Sequence, residues 1–395
     1  MTDRWKALWV LSAARVAMGF QFQVVGSTAP LLRGEFGVGL AEIGWLVGIY
    51  LLPGVVLALP GGMLSARFGD RRIAIAGMAL MVAGGVVSAL AEDMTMLEAG
   101  RLIGGMGGVL FNVTASKMIA DWFVGREIEL AMSIFVSTWP IGIGIGLLTL
   151  GGVAAAASVP VAFGLTAVFA AVSLLLIAAL YRSAPDAAAV APPRLSVLSR
   201  REWLLLCVAS AGWSLYNVAF ALLVAFLPTL LSLRGLNVSD AGAITAVLSV
   251  TLIVSIQASG WLIARIGHAT RVAVLGLLAW AALLPALLHG EATLLWVTLA
   301  GLAGGTAAGV LVAAPARFLS PASRPVGLGV FYTLFYVGMA LGPRAVGAWA
   351  DRAGAPDLVV WAAAGLSLLT AGLVLVTAAL TRPRREPAPA ATPGT

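Results

Sequence analysis

Three arginines, Arg15, Arg101 and Arg344, stand inside long apolar runs of this 395-residue chain. Arg15 lies about seven residues into the run 8–32, or about 10 Å deep at 1.5 Å per helical residue, too far for easy snorkelling. A guanidinium near mid-membrane costs about 2.5–3.5 kcal/mol on insertion scales, so such a group faces a cavity or a partner. No acid in the spans stands ready to neutralise it, because Glu42, Glu98, Glu129 and Asp240 all sit near span ends. An unpaired positive centre in a low-dielectric cleft attracts an anion, and arginine grips a carboxylate through two parallel hydrogen bonds. The competing roles are structural: carbonyls of a broken helix for Arg15, packing for Arg101, snorkelling for Arg344, and an interfacial anchor for Lys117 near the end of its span.

Aromatic and amide side chains accompany the arginines. Gln21, Phe22, Asn112, Trp139, Trp213, Tyr216, Asn217, Tyr332 and Tyr336 complete the candidate set for contact with a small molecule, with Phe20, Phe111, Phe335, Gln23 and Gln257 nearby in the same runs. The rings could wall a pocket for an aromatic or branched acid, or could simply pack; buried amides could meet a solute or satisfy helix contacts. Other chemistries are disfavoured. With only Lys6 and Lys117 in the chain, no phosphate loop ending in Gly-Lys-Ser/Thr exists. His268 and His289, each at a span end, cannot build a metal site with the single Cys207. No Ser-His-Asp or paired-carboxylate arrangement is evident, so neither an enzyme nor a cofactor is expected.

The elements that must position these residues follow from composition. At 61% hydrophobic, 10% charged and mean hydropathy +1.01, the chain belongs in a bilayer, since soluble domains carry about 25% charged residues. Twelve apolar runs of helical spanning length are expected, at about 8–32, 40–61, 73–91, 96–120, 129–153, 158–181, 203–231, 240–262, 272–290, 293–316, 326–349 and 357–380. None shows the alternation of a membrane strand. Trp139-Pro140 is expected to kink the fifth. Net charge +7 does not imply nucleic acid, because Lys and Arg gather in alternate loops and at the termini, leaving only Arg33, Arg234 and Arg352 on the other side. That asymmetry is expected to place both termini in the cytoplasm. The first span is expected to stay uncleaved, because Arg15 interrupts it and it outruns a signal peptide.

The chain also repeats itself. GMLSARFGDRR at Gly62–Arg72 returns as GWLIARIGHATR at Gly260–Arg271, and the constant offset of 198 also pairs Trp5 with Trp203, Pro30 with Pro228 and Gly37 with Gly235. A gapless match over roughly seventy positions marks two copies of one unit.

Twelve spans, a duplicated half and this basic glycine-bounded turn resemble the major facilitator superfamily, whose turn reads approximately GxLaDrxGrr. Gly62, Leu64, Arg67, Gly69 and Arg71 match it; Ala66, and Ala264 in the second copy, replace its aspartate. The resemblance implies that this turn gates the cytoplasmic side, through Gly62, Arg67, Gly69, Asp70, Arg71 and Arg265. With the aspartate missing, Arg67 could pair with Asp70, Asp121 or Glu129. Arg101, Gly105 and Gly107 match the fourth-span motif. Pro140, Gly142 and Gly146 echo the proline-glycine motif partly, and Gly338 to Pro343 more closely. RVAMGFQFQ and ADWFVGRE look like bacterial porters of small anions such as cyanate, nitrate and dicarboxylates.

The expected fold is therefore all-α, two pseudo-symmetric six-helix bundles over 1–181 and 203–380, joined by a linker at 182–202 and followed by a disordered tail at 381–395. The expected activity is alternating-access transport of a small, organic anion by a monomer in the lipid bilayer, bound through Arg15 and possible contacts from Arg101 and Arg344. A coupling proton or counter-anion is a further partner; without a mid-span carboxylate, exchange or facilitated movement is favoured over symport through a protein acid. The alternatives are an efflux pump for hydrophobic compounds and a non-transporting receptor.

Overall fold

The computed structural model describes residues 3–58, 60–123, 127–184, 197–289, 292–320 and 323–381, and all regular structure among them is helical. Twelve helices are long and apolar enough to cross a membrane. They are α1 (Asp3–Phe36), α2 (Leu40–Leu57), α3 (Asp70–Ala89), α4 (Met94–Phe123), α5 (Ile128–Ala156) and α6 (Val159–Leu180). The second six are α7 (Arg200–Leu233), α8 (Val238–Ile266), α9 (Ala269–Leu288), α10 (Thr293–Val312), α11 (Arg324–Ala353) and α12 (Leu358–Thr381). Helices satisfy their own backbone groups where lipid offers no partner, and the exposed Val168, Leu175 and Leu275 give α6 and α9 the apolar outer faces that lipid requires.

The repeat is visible in the backbone. Helices α1 and α7 are each 34 residues long and carry Pro30 and Pro228 internally. Two pairs of glycines at the repeat offset share a positive φ: Gly37 (+66°) with Gly235 (+95°), and Gly69 (+88°) with Gly267 (+70°). A side chain would strain each of these turns, so glycine recurs there. Packing repeats as well. Helix α1 lies against α5 and α6, and α3 against α4 and α6; in the second half α7 lies against α11 and α12, and α9 against α10 and α12. Between halves, α1 meets α7, α2 meets α11, and α5 meets α8.

Prolines interrupt some spans and not others. Helix α2 leaves the α-helical path after Ile49, resumes at Gly54 past Pro53, and is followed beyond Pro60 by a short helix, Gly61–Phe68. Helix α9 tightens into a 3-10 turn at Leu284–Leu288 around Pro285, and α10 does so at Gly305–Ala307. Pro140, by contrast, lies inside an uninterrupted α5. A proline deletes one ladder bond, and the hydrogen-bonded turns on either side continue the helix past the gap.

At the start of α7, Ser199 and Glu202 form a capping box that fixes where the second half begins. Residues 185–196 of the expected linker and 382–395 of the expected tail lie outside the described residues.

Candidate functional site

The two halves meet tightly toward one end of the bundle, the end opposite the basic turns. Between α2 and α11, a β-carbon on Gly44, Gly48 or Gly347 would collide with the backbone of Pro343, Ala340 or Leu40. At the tip of this seam the Asp351 carboxylate of α11 accepts the backbone N–H groups of Leu40 (3.0 Å) and Ala41 (2.7 Å) at the start of α2. Those amides have no partner within their own helix, and the positive end of the helix dipole faces the acid. Between α1 and α7, Gln23 Nε2 donates to the Val224 carbonyl (2.8 Å), where Gly26 abuts Val224 and Ala225. Between α5 and α8, Gly242 abuts the Leu147 carbonyl. Nearer the basic end, Gln257 Nε2 on α8 donates to Ser137 Oγ on α5 (3.1 Å). Past Gln257 toward the basic turns, no hydrogen bond or ion pair joins the halves among the described residues.

Arg15, Asn112, Gln257 and Tyr336 each stand roughly ten residues from the basic end of their helices, or about 15 Å along the axis at 1.5 Å per residue. They converge where the seam stops. Arg15 Nη1 donates to the Phe135 carbonyl (2.9 Å), which also accepts from Thr138 Oγ1, and its guanidinium lies 4.4 Å from the centre of the Phe135 ring. Its Nε is buried without a partner, and no carboxylate pairs with it among the described residues. Across the gap, Tyr332 and Tyr336 of α11 lie within electrostatic range of the guanidinium. Asn112 faces the Tyr336 hydroxyl, and its own Oδ1 is buried and unpartnered. The result is a partly exposed cation held from one half and faced by aromatic residues of the other.

Those aromatic residues form a continuous wall. Phe335 is 5.0 Å from Tyr336, 6.2 Å from Tyr332 and 6.0 Å from Trp213 between ring centroids; Trp213 in turn stacks on Tyr216 at 5.8 Å. Trp213 and Phe335 are half-buried and Tyr332 is 36% exposed, so ring surface remains open. Trp213 Nε1 has no hydrogen-bond partner.

Several expected contact residues are committed elsewhere. Arg101, 2% exposed, gives Nε to the Leu46 carbonyl (3.1 Å), Nη1 to Gln21 (2.7 Å) and Nη2 to Phe22 (3.1 Å), and stacks 4.4 Å from the Tyr50 ring. Its charge knits α1, α2 and α4 together rather than facing a solute. Gln21 donates to the Met81 carbonyl (2.9 Å) and accepts from the Tyr50 hydroxyl (3.2 Å), so it too is spent on helix contacts. Phe22 is buried between Tyr50 and Trp139, with Trp139 itself half-buried, and the Tyr216 hydroxyl donates to the Gly304 carbonyl (3.1 Å). Asn217 donates back to Trp213 of its own helix (2.7 Å). Arg344 is exposed and stacked 4.7 Å from Trp45, away from the Arg15 cluster.

The basic turn also differs in detail from expectation. Lys117, expected as an interfacial anchor, bridges Asp70 (2.7 Å) and Asp121 (2.8 Å), the two acids considered for Arg67. Arg67 makes no ion pair among the described residues and lies over Phe68 at 5.3 Å; the Glu129 and Ala66 side chains lie outside those residues. Arg71 Nη2 donates to the Ala178 carbonyl, tying α3 to α6, and Arg265 stacks on Trp261 at 3.8 Å. Gly69 supplies the left-handed turn, and Gly62 lies in the helix before it. The residue that sequence reasoning missed is Asp351: an acid two residues from the end of its helix carries no mark of pairing with a segment 311 positions away.

Among curated proteins no sequence match was found. Solved structures do resemble the chain. The inward-open xylose transporter XylE from E. coli superposes with a TM-score of 0.77 at 14% identity, over 94% of this chain and 96% of that one. A D-xylose-proton symporter gives 0.75 at 15% identity, over 94% and 97%. A bacterial homolog of the human lysosomal transporter Spinster, inward-facing and occupied, gives 0.72 at 16% identity, over 96% of both. At these identities the likeness is one of fold. A family model, described as Major Facilitator Superfamily, matches residues 11–256 and 203–395. With both copies of the repeat so covered, the chain belongs to the Major Facilitator Superfamily of membrane transporters.

Proposed function

We propose that this chain carries a small organic anion across a bacterial inner membrane by alternating access, with Arg15 as the counter-charge. The observation that carries the reading is the state of that guanidinium: about seven residues into its apolar run, bonded to a single carbonyl, with no carboxylate paired to it among the described residues. An anion entering from the basic end would meet it where the halves part, and binding to both halves there would bias their rocking. The positive-inside rule assigns the basic turns and both termini to the cytoplasm, which puts the tight seam on the opposite, outer side. Without an acid at the depth of Arg15, exchange or facilitated movement is favoured over symport through a protein carboxylate, although a proton can still travel on the substrate. The turn at Gly62–Arg71 and its copy at Arg265 keep their gating assignment, with the Lys117–Asp70–Asp121 cluster as its charged centre.

The test is direct binding to purified wild type, Arg15→Lys and Arg15→Ala across a panel of small acids and amines. At least one acid is expected to bind wild type and to lose more than about tenfold in affinity in Arg15→Ala, with Arg15→Lys intermediate because a point charge replaces the fork. Equal affinities in all three folded proteins would remove Arg15 from the site; preference for amines would reverse the charge assignment.

A further inference from the structure

The wall opposite Arg15 narrows the kind of anion that fits, an inference resting on the anion reading above. The cation is single: Arg101 is consumed by three carbonyls and Lys117 by two carboxylates, leaving Arg15 as the one unpaired positive group at this depth among the described residues. One charge neutralises one charge, and a second carboxylate would enter a poorly solvating cleft without a partner. The cation also belongs to one half of the molecule and the rings to the other. Arg15 is anchored to Phe135 of the first half, while Tyr332, Phe335, Tyr336 and Trp213 all belong to the second.

These rings are not closed on one another. Phe335 contacts three aromatic neighbours at tilted or edge-on angles, yet it and Trp213 remain only half-buried. Two polar atoms beside them, Asn112 Oδ1 and Trp213 Nε1, lack any partner despite being buried. Buried polar atoms are normally paired, so an unpaired acceptor and donor beside an open aromatic face suit a flat guest that carries a polar edge.

We propose that the carried anion is an aromatic monocarboxylate. Its carboxylate sits on Arg15 and its ring lies against the Tyr332–Phe335–Trp213 wall, so that one molecule touches both halves. An inorganic anion or a short aliphatic acid would reach the cation and leave the wall empty. An aromatic dicarboxylate would fill the wall and carry an unmatched charge.

Binding of phenylacetate, 4-hydroxyphenylacetate, isobutyrate, nitrate, phthalate and 2-phenylethanol to the full-length protein in nanodiscs tests this, read by calorimetry. Phenylacetate and 4-hydroxyphenylacetate are expected to bind about tenfold or more tightly than isobutyrate, nitrate or phthalate, the margin a ring–ring contact plus its buried area supports. Phe335→Leu, and separately Tyr332→Leu at the more exposed position, are expected to shrink the phenylacetate-to-isobutyrate ratio severalfold; Arg15→Lys is expected to weaken both acids and leave the ratio standing. If isobutyrate or nitrate binds as well as phenylacetate and both depend on Arg15, the aromatic assignment is wrong and the anion carrier stands. If 2-phenylethanol binds as tightly as phenylacetate, or no acid depends on Arg15, the anion reading itself fails.

Discussion

Two guanidiniums at similar levels of apolarity in the sequence end in opposite situations, and the difference lies in how many acceptors each finds. Arg101 finds three carbonyls on two neighbouring helices and an aromatic face, and is sealed in; Arg15 finds one carbonyl and one ring, and is left partly open. The absence of a nearby acid was legible for Arg15, because every carboxylate sits near a span end, whereas Glu98 stands three residues from Arg101. The fate of the donors was not, because Leu46, Gln21 and Phe22 offer their carbonyls only once α1, α2 and α4 have packed. Replacing Arg101 with Ala therefore removes three buried hydrogen bonds and opens a cavity, and is expected to cost about 2–4 kcal/mol of stability. Thermal unfolding in detergent would register this as a clear loss, while the folded fraction keeps its affinity for acids. A mutant as stable as wild type would show that the carbonyl clamp contributes little.

At the scale of elements, closure of the seam opposite the basic turns rests on glycines and one acid rather than on the motif that the sequence advertises. The α2–α11 contact needs Gly44, Gly48 and Gly347 because backbone lies where a side chain would stand, and small-residue packing is how helices associate in lipid. Asp351 then caps α2 from the other half. Charge-assisted bonds to free helix-terminal amides are worth about 0.5–2 kcal/mol in comparable caps, enough to shift a balanced two-state equilibrium severalfold. Asp351→Asn and Gly48→Val are accordingly expected to move the population away from the form in which this seam is closed. Spin labels on Glu35→Cys and Asp240→Cys, in a Cys207→Ala background, should move apart in either variant, and labels on Arg72→Cys and Arg271→Cys should approach. Unchanged distances in both pairs would mean that neither the cap nor the glycine seam holds the conformer. The partners of Gly44, Gly48 and Gly347 were not legible in the sequence, since a repeat within each half says nothing of which helices meet between halves. Pro140 argues for a kink, and α5 runs on past it without a break in helical structure.

For the whole molecule, the offset of 198 residues was the strongest signal in the sequence, and it reappears as paired helix lengths, paired left-handed glycines and equivalent packing in the two halves. Twelve spans and an all-helical fold follow from apolar run length, which is why they were legible without coordinates. Sidedness rests on charge alone and is testable in intact cells: a membrane-impermeant thiol reagent should label Glu35→Cys and spare Arg271→Cys, and the reverse pattern would invert the topology. What the repeat cannot specify is where the halves differ, and the proposed site lies there, with a cation on one side and rings on the other. Counterflow of radiolabelled phenylacetate in proteoliposomes, at acid concentrations that saturate wild type, tests the central claim most directly. Wild type should accumulate label against a preloaded pool, Arg15→Lys should do so more slowly and Arg15→Ala not at all; accumulation by Arg15→Ala at the wild-type rate would contradict it.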